Sequence, residues 1–232
     1  MGGRRSVRPQ RGTTIIPIVF VHGTRTSAAI WDPQVEALAA AGHGTHAIDL
    51  PGHGSRVAER FTLEGALQAI DAAVEAQPVP PLLVGLSLGG YTSLAYAALY
   101  QEKLAGVVLS GCSTEIAGKP LRLYRRWSTR IADTFRPGGT WHVVADMLHA
   151  MHGYSALADL RRLLVPVWLV NGRRDPLRWG ERRMVAAHPL ARLHVVDRAG
   201  HDVNSHAPTA YTRILLDALA ELTPAEVRSL AG

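Results

Sequence analysis

Residues 82–90 read Leu-Leu-Val-Gly-Leu-Ser-Leu-Gly-Gly, and the rest of the chain is organised around this stretch. An apolar run typical of a buried strand leads into the pattern Gly-x-Ser-x-Gly, and a stretch compatible with a helix, residues 91–100, follows at once. A strand, a sharp turn and a helix are the setting in which this pattern indicates a nucleophile elbow, a strained turn that lifts a serine oxygen clear of the sheet. Gly85 and Gly89 suit such a turn, because a side chain two positions from Ser87 would crowd it. The alternative interpretation is a glycine-rich turn that contains an ordinary serine.

Short apolar segments alternate with helical patterns along most of the chain. The segments predicted as strands are residues 13–21, 45–50, 82–84, 104–109, 163–170 and 192–196. The stretches predicted as helices are residues 32–42, 62–76, 91–100 and 209–222. This alternation favours a parallel sheet wrapped by helices and joined by right-handed connections. We therefore predict an α/β fold with a mostly parallel sheet of about six strands flanked by helices.

One segment breaks the rhythm of strands and helices. Residues 113–162 carry no convincing strand but several helical patterns, and we predict that they form a short helical lid above the carboxyl ends of the strands. Trp127 and Trp141 lie in this lid, and we expect both to line an apolar substrate pocket. Residues 1–12 are predicted to be a flexible leader, and residues 13–232 a single domain that includes the lid.

Length and composition fit one globular domain. The chain has 232 residues, of which 47% are apolar, enough for an α/β domain with a substantial core. A single cysteine, Cys112, excludes an internal disulfide framework. The net charge of +6 comes mainly from arginine, but no nucleic-acid motif accompanies it. No secretory signal and no apolar stretch of ~20 residues is present, so we expect a cytoplasmic protein that binds neither membranes nor nucleic acid.

Three polar residues follow three different predicted strands. Ser87, Asp175 and His201 each lie in a loop at a strand's carboxyl end, the edge at which open α/β sheets build their sites. A serine hydroxyl is a poor nucleophile until a base takes its proton, and that base needs a carboxylate to hold its tautomer. Glu115 competes for the role of the acid, because it follows the preceding strand; we favour Asp175, whose loop precedes the histidine strand.

Five motifs in order resemble those of the α/β-hydrolase fold superfamily, within the group of small serine esterases and non-haem haloperoxidase-like enzymes. They are His22-Gly23 with Trp31 downstream, Asp49-Leu50-Pro51-Gly52-His53-Gly54, Gly85-Leu86-Ser87-Leu88-Gly89-Gly90, Asn171-Gly172-Arg173-Arg174-Asp175 and Ala199-Gly200-His201. The resemblance covers residues 15–222 apart from the lid. Little sequence precedes the first strand, so we expect the family's usual opening strands, and with them any antiparallel edge, to be missing.

The resemblance implies a role for each site residue. Ser87 is the nucleophile, His201 the general base and Asp175 the acid that orients it. The backbone N–H groups of Thr24 and Leu88 form the oxyanion hole. It implies no cofactor and no metal.

Arg25 and a group of three histidines are further candidates for functional residues. Arg25 follows the expected oxyanion donor, where it could meet an anionic group on the substrate; the alternative is an arginine that faces solvent. His142, His149 and His152 lie near one another in the lid, but no cysteine or carboxylate spacing supports a metal site there.

These features predict a serine hydrolase that cleaves a carboxylic ester or a related acyl bond through an acyl-enzyme at Ser87. Thioester, lactone and carbon–carbon hydrolysis and perhydrolysis stay open. By the same resemblance, dehalogenases and epoxide hydrolases carry an aspartate at the elbow. The serine here therefore argues against those two activities. The alternative from another class is a hydrolase-fold ligand-binding or receptor-like protein with little turnover. The expected partner is a small acyl substrate; the sequence indicates neither its identity nor an oligomeric state.

Overall fold

A computed structural model describes residues 15–118 and 141–222 of the protein. Its strands are β1 (Ile18–Val21), β2 (Thr45–Ile48), β3 (Leu82–Leu86), β4 (Gly106–Ser110), β5 (Val167–Gly172) and β6 (Ala191–Val196). Its helices are α1 (Asp32–Ala40), α2 (Leu63–Glu75), α3 (Leu88–Tyr100), α4 (Trp141–Ala150), α5 (Ala156–Leu160), α6 (Glu181–Ala187), α7 (Val203–His206) and α8 (Pro208–Glu221). Within the two described ranges, no helix is long and apolar enough to cross a membrane.

The strands form one sheet in the order β2-β1-β3-β4-β5-β6, and every neighbouring pair is parallel. The predicted α/β fold with about six parallel strands is therefore confirmed. Strand β3 lies in the interior of the sheet, between β1 and β4. Because all six strands point the same way, the loops that follow them meet at one edge, which is where an open α/β sheet places its site.

The two faces of the sheet carry separate apolar cores. Side chains alternate along each strand, so Val19, Val21 and Leu83 contribute to one core while Ile18 and Phe20 contribute to the other. The first core packs against α2, α3, α4 and α5, and the second packs against α1 and α8. Burial on both faces explains why the strands read as continuous apolar runs rather than as alternating patterns.

Several element boundaries differ from the sequence-based predictions. Strand β1 begins at Ile18 and β5 at Val167, later than predicted. Each follows a proline, Pro17 or Pro166, which has no N–H to donate to a sheet. Helix α3 begins at Leu88, directly after the serine, rather than at residue 91. Helix α6 was missed, since it has seven residues, of which three are charged, and only Met184 is buried to mark an apolar face.

Two helices of the predicted lid lie within the described residues, namely α4 and α5. Each contributes buried apolar side chains to the core, among them Val143 on α4 and Leu157 on α5. The leader, residues 1–12, and Trp127 lie outside the described residues.

Leu215 gives a test of the packing between α8 and the sheet. Its side chain is fully buried in the second core, whereas that of Leu164 is 70% exposed. We expect Leu215→Ala to lower the free energy of unfolding by about 2–5 kcal/mol, because the change leaves a cavity. The matched substitution Leu164→Ala should change it by less than about 0.5 kcal/mol. Equilibrium urea unfolding measures both, and equal losses would contradict the assigned packing.

Candidate active site

Ser87 sits on a strained turn between β3 and α3. Its backbone has φ 54° and ψ −113°, a left-handed conformation that costs free energy for any residue except glycine. A Cβ atom at Gly85 would overlap the carbonyl oxygen of Gly89, and one at Gly89 would overlap the carbonyl oxygen of Val21. The turn therefore needs glycine at both positions. The Ser87 N–H donates a 2.7 Å hydrogen bond to the carbonyl of Ser110 at the end of β4, which holds the strained residue in place.

His201 lies in the loop between β6 and α7 and faces the serine. Its Nε2 is 2.9 Å from Ser87 Oγ, and its Nδ1 is 3.0 Å from Asp175 Oδ2. The carboxylate requires Nδ1 to carry the ring proton, which leaves Nε2 as an acceptor for the serine hydroxyl. A continuous hydrogen-bonded chain thus joins three residues that are far apart in the sequence.

Asp175 lies at the inner end of this hydrogen-bonded series, and its side chain is fully buried. Its Oδ1 accepts a 2.8 Å hydrogen bond from the Leu177 N–H, so both of its oxygens have partners. Burial alone would raise the pKa of Asp175, but the hydrogen bonds from His201 and Leu177 and the positive charges of His201 and Arg178 together lower it. The carboxylate is consequently kept ionised.

The carboxylate acts on the histidine in return. The hydrogen bond to Asp175 raises the pKa of His201 above its ordinary value of 6.5, partial burial opposes the rise, and the charges of Asp175 and Asp202 add to it. A raised pKa makes His201 a stronger base toward the hydroxyl that it contacts.

Glu115 makes no contact with His201. Its Oε2 accepts a 2.9 Å hydrogen bond from the Leu157 N–H at the start of α5, and its Oε1 accepts one from the Ala117 N–H. Through these two bonds Glu115 joins the start of α5 to the loop that follows β4. Of the two carboxylates considered, the structure brings only Asp175 to the histidine.

The peptide unit between Gly23 and Thr24 is held by side chains of the same loop. The Gly23 carbonyl accepts hydrogen bonds of 2.8 Å from the His22 ring and 2.8 Å from the Thr26 hydroxyl. The C=O and N–H of one trans peptide unit point in opposite directions, so the Thr24 N–H is turned away from these donors. Gly23 itself packs against Ser87, because a Cβ atom added there would lie 3.3 Å from the serine Cβ.

Leu88 supplies the second N–H group, as the first residue of α3. An N–H in the first turn of a helix has no partner within the helix, and the helix dipole favours negative charge at this end. Within residues 15–118 and 141–222, neither the Thr24 N–H nor the Leu88 N–H has a hydrogen-bond acceptor. Both are available to an oxygen that carries negative charge.

Hydrogen bonds of the His22 ring hold the loop that carries Thr24. The ring is buried, its Nδ1–H donates to the Gly23 carbonyl, and its Nε2 accepts from the Leu50 N–H. Burial lowers the pKa of His22 to about 4, so the ring is neutral and its tautomer is fixed by these two partners. His53, also buried, contacts the His22 ring edge-on at a centroid distance of 4.8 Å.

Arg25 and Trp141 are the other two predicted site residues within the described ranges. Arg25 is exposed, with φ 62°, in the loop that follows β1. Trp141 is the first residue of α4. In the part of the chain that the structure describes, no three His, Cys, Asp or Glu side chains come together in a way that could hold a metal ion.

Comparison with known proteins fits this geometry. A model of the alpha/beta hydrolase family matches residues 18–214. The chain belongs to the alpha/beta hydrolase family. The predicted resemblance is thereby confirmed at the level of the superfamily.

Relatives with similar sequences carry names for different activities. This hydrolase-family chain is 28% identical over 92% of its length to a 2-succinyl-6-hydroxy-2,4-cyclohexadiene-1-carboxylate synthase from Yersinia enterocolitica, 90% of which is covered. It is 25% identical over 85% of its length to a pimeloyl-[acyl-carrier protein] methyl ester esterase from Neisseria meningitidis, 75% of which is covered. Its structure resembles a thermophilic esterase from Thermogutta terrifontis with a TM-score of 0.78 and 20% identity, covering 91% of this chain and 92% of that one. At this identity the structural likeness shows the fold alone.

Sequence reasoning missed the residues that fix the Asp175 loop of this family member. Buried Asn171 donates to Ser113 Oγ at 2.9 Å and to Glu181 Oε2 at 3.1 Å, and Glu181 forms an ion pair with Arg178. Asn171 belongs to one of the five motifs, but its partners are distant in sequence and no local pattern marks them.

The histidine–carboxylate pair can be tested without any substrate. We expect Asp175→Asn to lower the pKa of His201, because the amide removes the negative charge that stabilises the imidazolium. NMR titration of the ring resonances measures the pKa in both proteins. Glu115→Gln is the matched control and should leave the His201 titration in place, since Glu115 contacts Leu157 instead. A lower His201 pKa in the Glu115 variant alone would reverse the assignment of the acid.

Proposed function

We propose that the protein is a serine hydrolase that cleaves a carboxylic ester or a related acyl bond through an acyl-enzyme at Ser87. The observation that carries the proposal is the hydrogen-bonded chain from Ser87 Oγ through His201 to buried Asp175. Nucleophile, base and orienting acid are each within hydrogen-bond distance of the next, which is the geometry that activates a serine hydroxyl.

In the first half of the reaction, Ser87 Oγ attacks the substrate carbonyl carbon while its proton passes to His201 Nε2, 2.9 Å away. The carbonyl oxygen becomes an oxyanion in a tetrahedral intermediate. The N–H groups of Thr24 and Leu88 donate to this oxyanion. Removing one such donor typically costs about 3–4 kcal/mol of transition-state stabilisation.

In the second half, the tetrahedral intermediate collapses: the bond between the carbonyl carbon and the leaving oxygen breaks, His201 gives its proton to that oxygen, and the acyl group stays on Ser87 as an ester. Water then attacks this ester as His201 takes a proton from it, and collapse of the second tetrahedral intermediate releases the acid and restores the serine. Asp175 stays ionised throughout, in keeping with its lowered pKa, and holds the imidazolium that forms in each half.

The names of the relatives fix neither the reaction nor the substrate. One is named as an esterase and another as a synthase. Ester hydrolysis is the reaction that the site in this chain favours, because a serine nucleophile, a base and two oxyanion donors are the groups that it requires. The substrate proposed here is a small acyl compound.

Removing the nucleophile tests the proposal directly. We expect Ser87→Ala to lower kcat on p-nitrophenyl butyrate by about 10⁶-fold, because the serine and histidine act as one unit. Ser205→Ala, an exposed serine on α7, is the control and should keep wild-type kcat. A fluorophosphonate should label the wild type at Ser87 and leave Ser87→Ala unlabelled.

The same assay separates an enzyme from a ligand-binding protein. An enzyme releases many equivalents of p-nitrophenol for each protein molecule, whereas a binding protein that retains a reactive serine releases one at most. A single stoichiometric burst, or Ser87→Ala activity within tenfold of the wild type, would contradict the proposal.

Arg25 is proposed to meet an anionic group on the substrate. It directly follows the proposed oxyanion donor Thr24 in the chain, and its side chain is exposed. We expect Arg25→Gln to lower kcat/KM for an ester that carries a carboxylate more than for a neutral ester of the same length. Added salt should shrink the difference, because exposed charges are screened beyond ~10 Å at 0.1 M.

The control for this charge is Arg213→Gln, which removes an exposed arginine from α8. Steady-state kinetics on the pair of esters at low and high salt measure the effect. Equal loss on both esters, or the same selectivity change in the Arg213 variant, would remove Arg25 from the substrate site.

A further inference from the structure

Helix α4 of the lid docks on the loops that surround the serine through one face. Val143, Asp146 and Met147 are spaced by three and four residues, so they lie on the same side of the helix. Val143 and Asp146 contact the connection between β2 and α2, and Met147 contacts the loop that follows β1. The lid helix is therefore tied to the site at three points.

The first two contacts hold the helix as a whole. Val143 is fully buried, and its Cγ2 would lie 3.1 Å from a Cβ atom at Gly52, so helix and loop approach as closely as a glycine allows. Asp146 forms a bidentate ion pair with Arg60, in which Arg60 Nε donates to Oδ2 at 2.6 Å. This ion pair lowers the pKa of Asp146, so the carboxylate is ionised and the pair persists at neutral pH.

The third contact reaches the oxyanion loop itself. The Thr24 hydroxyl donates to the sulfur of Met147 at 3.0 Å, across 123 positions of sequence. A threonine hydroxyl has one proton to donate, so this contact uses the only donor of the side chain. Because threonine is branched at Cβ and has few χ1 rotamers, a contact that holds its oxygen also selects the rotamer of the side chain.

The Gly23–Thr24 peptide is consequently held from two sides. His22 and Thr26 hold its carbonyl, and Met147 holds the side chain that follows its N–H. The contacts of His22 and Thr26 come from the same loop as Thr24, whereas the contact of Met147 comes from α4. A movement of α4 would therefore act on the Thr24 side chain, while His22 and Thr26 continue to hold the carbonyl of the same peptide unit.

We propose that Met147 is a positioning residue, which acts through the Thr24 side chain to aim the Thr24 N–H at the oxyanion, so that the oxyanion hole is complete only while α4 is docked. The inference rests on the proposed function, in which the Thr24 N–H is an oxyanion donor. It gives α4 a role in the chemical step.

The test removes the hydrogen bond from either side while keeping the shape of the side chains. Met147→Leu keeps the volume but has no sulfur acceptor, and Thr24→Val keeps the shape but has no hydroxyl. We expect each to lower kcat on a short neutral ester by about 3–10-fold with KM nearly constant, as for the loss of one neutral hydrogen bond. The double variant should be no slower than the slower single variant, because both changes remove the same contact. Thr24→Ser, which restores a hydroxyl, should recover part of the kcat that Thr24→Val loses.

Met151→Leu is the matched control, since Met151 is a buried methionine just beyond α4 whose side chain packs in the core. It should keep wild-type kcat. An alkylboronic acid, which forms a tetrahedral adduct with a catalytic serine, gives a second readout. Its inhibition constant should rise in Met147→Leu by about the same factor as kcat falls.

The outcomes separate the two proposals. If the wild type turns over and Met147→Leu and Thr24→Val match Met151→Leu in kcat and in boronic acid inhibition, the positioning role is overturned while the proposed function stands. The role is also overturned if KM rises with kcat unchanged, since Met147 would then only contact substrate. A wild type that neither turns over nor reacts with a fluorophosphonate at Ser87 overturns both proposals.

Discussion

The close approach of three backbone segments at Ser87 is the constraint on which the rest of the site depends. Strand β3 turns into α3 over one left-handed residue, and the turn touches the end of β1 so closely that only glycine fits at Gly89. The hydrogen bond from the Ser87 N–H to the Ser110 carbonyl ties the same turn to β4. Strain of this kind persists only where the surrounding structure over-determines it. Here the parallel sheet does so, and it thereby fixes the hydroxyl, the first N–H of α3 and the neighbouring Gly23 in one arrangement.

The polar groups around the serine follow from the same edge of the sheet. Asp175 follows β5 and His201 follows β6, so the order of the strands brings the carboxylate and the imidazole together beside the elbow. Buried Asn171 and its partners hold the acid loop, while neutral His22 holds the loop that carries Thr24. The Asp175 carboxylate and the Thr24 N–H are thus both positioned by residues that have no proposed part in the reaction.

Local sequence patterns predicted much of this architecture, but not the contacts that join distant segments. The continuous apolar runs gave the strands, because burial on both faces leaves a strong signal, and the residues following each run gave Ser87, Asp175 and His201 as candidates. Helix α6 was missed, because its exposed faces are rich in charged residues. The role of Glu115 in holding α5 and the contact between Thr24 and Met147 could not be read from the sequence, since each joins residues that only the folded chain brings together.

The central claim is that acyl transfer proceeds through a covalent intermediate at Ser87, and partitioning of that intermediate tests it most directly. Esters that share one acyl group but differ in leaving alcohol should form the same acyl-enzyme, which water and added methanol then compete to cleave. We predict that the ratio of acid to methyl ester is the same for every leaving group at a given methanol concentration. A ratio that varies with the leaving group would contradict the account, because water and methanol would then be attacking the substrate itself.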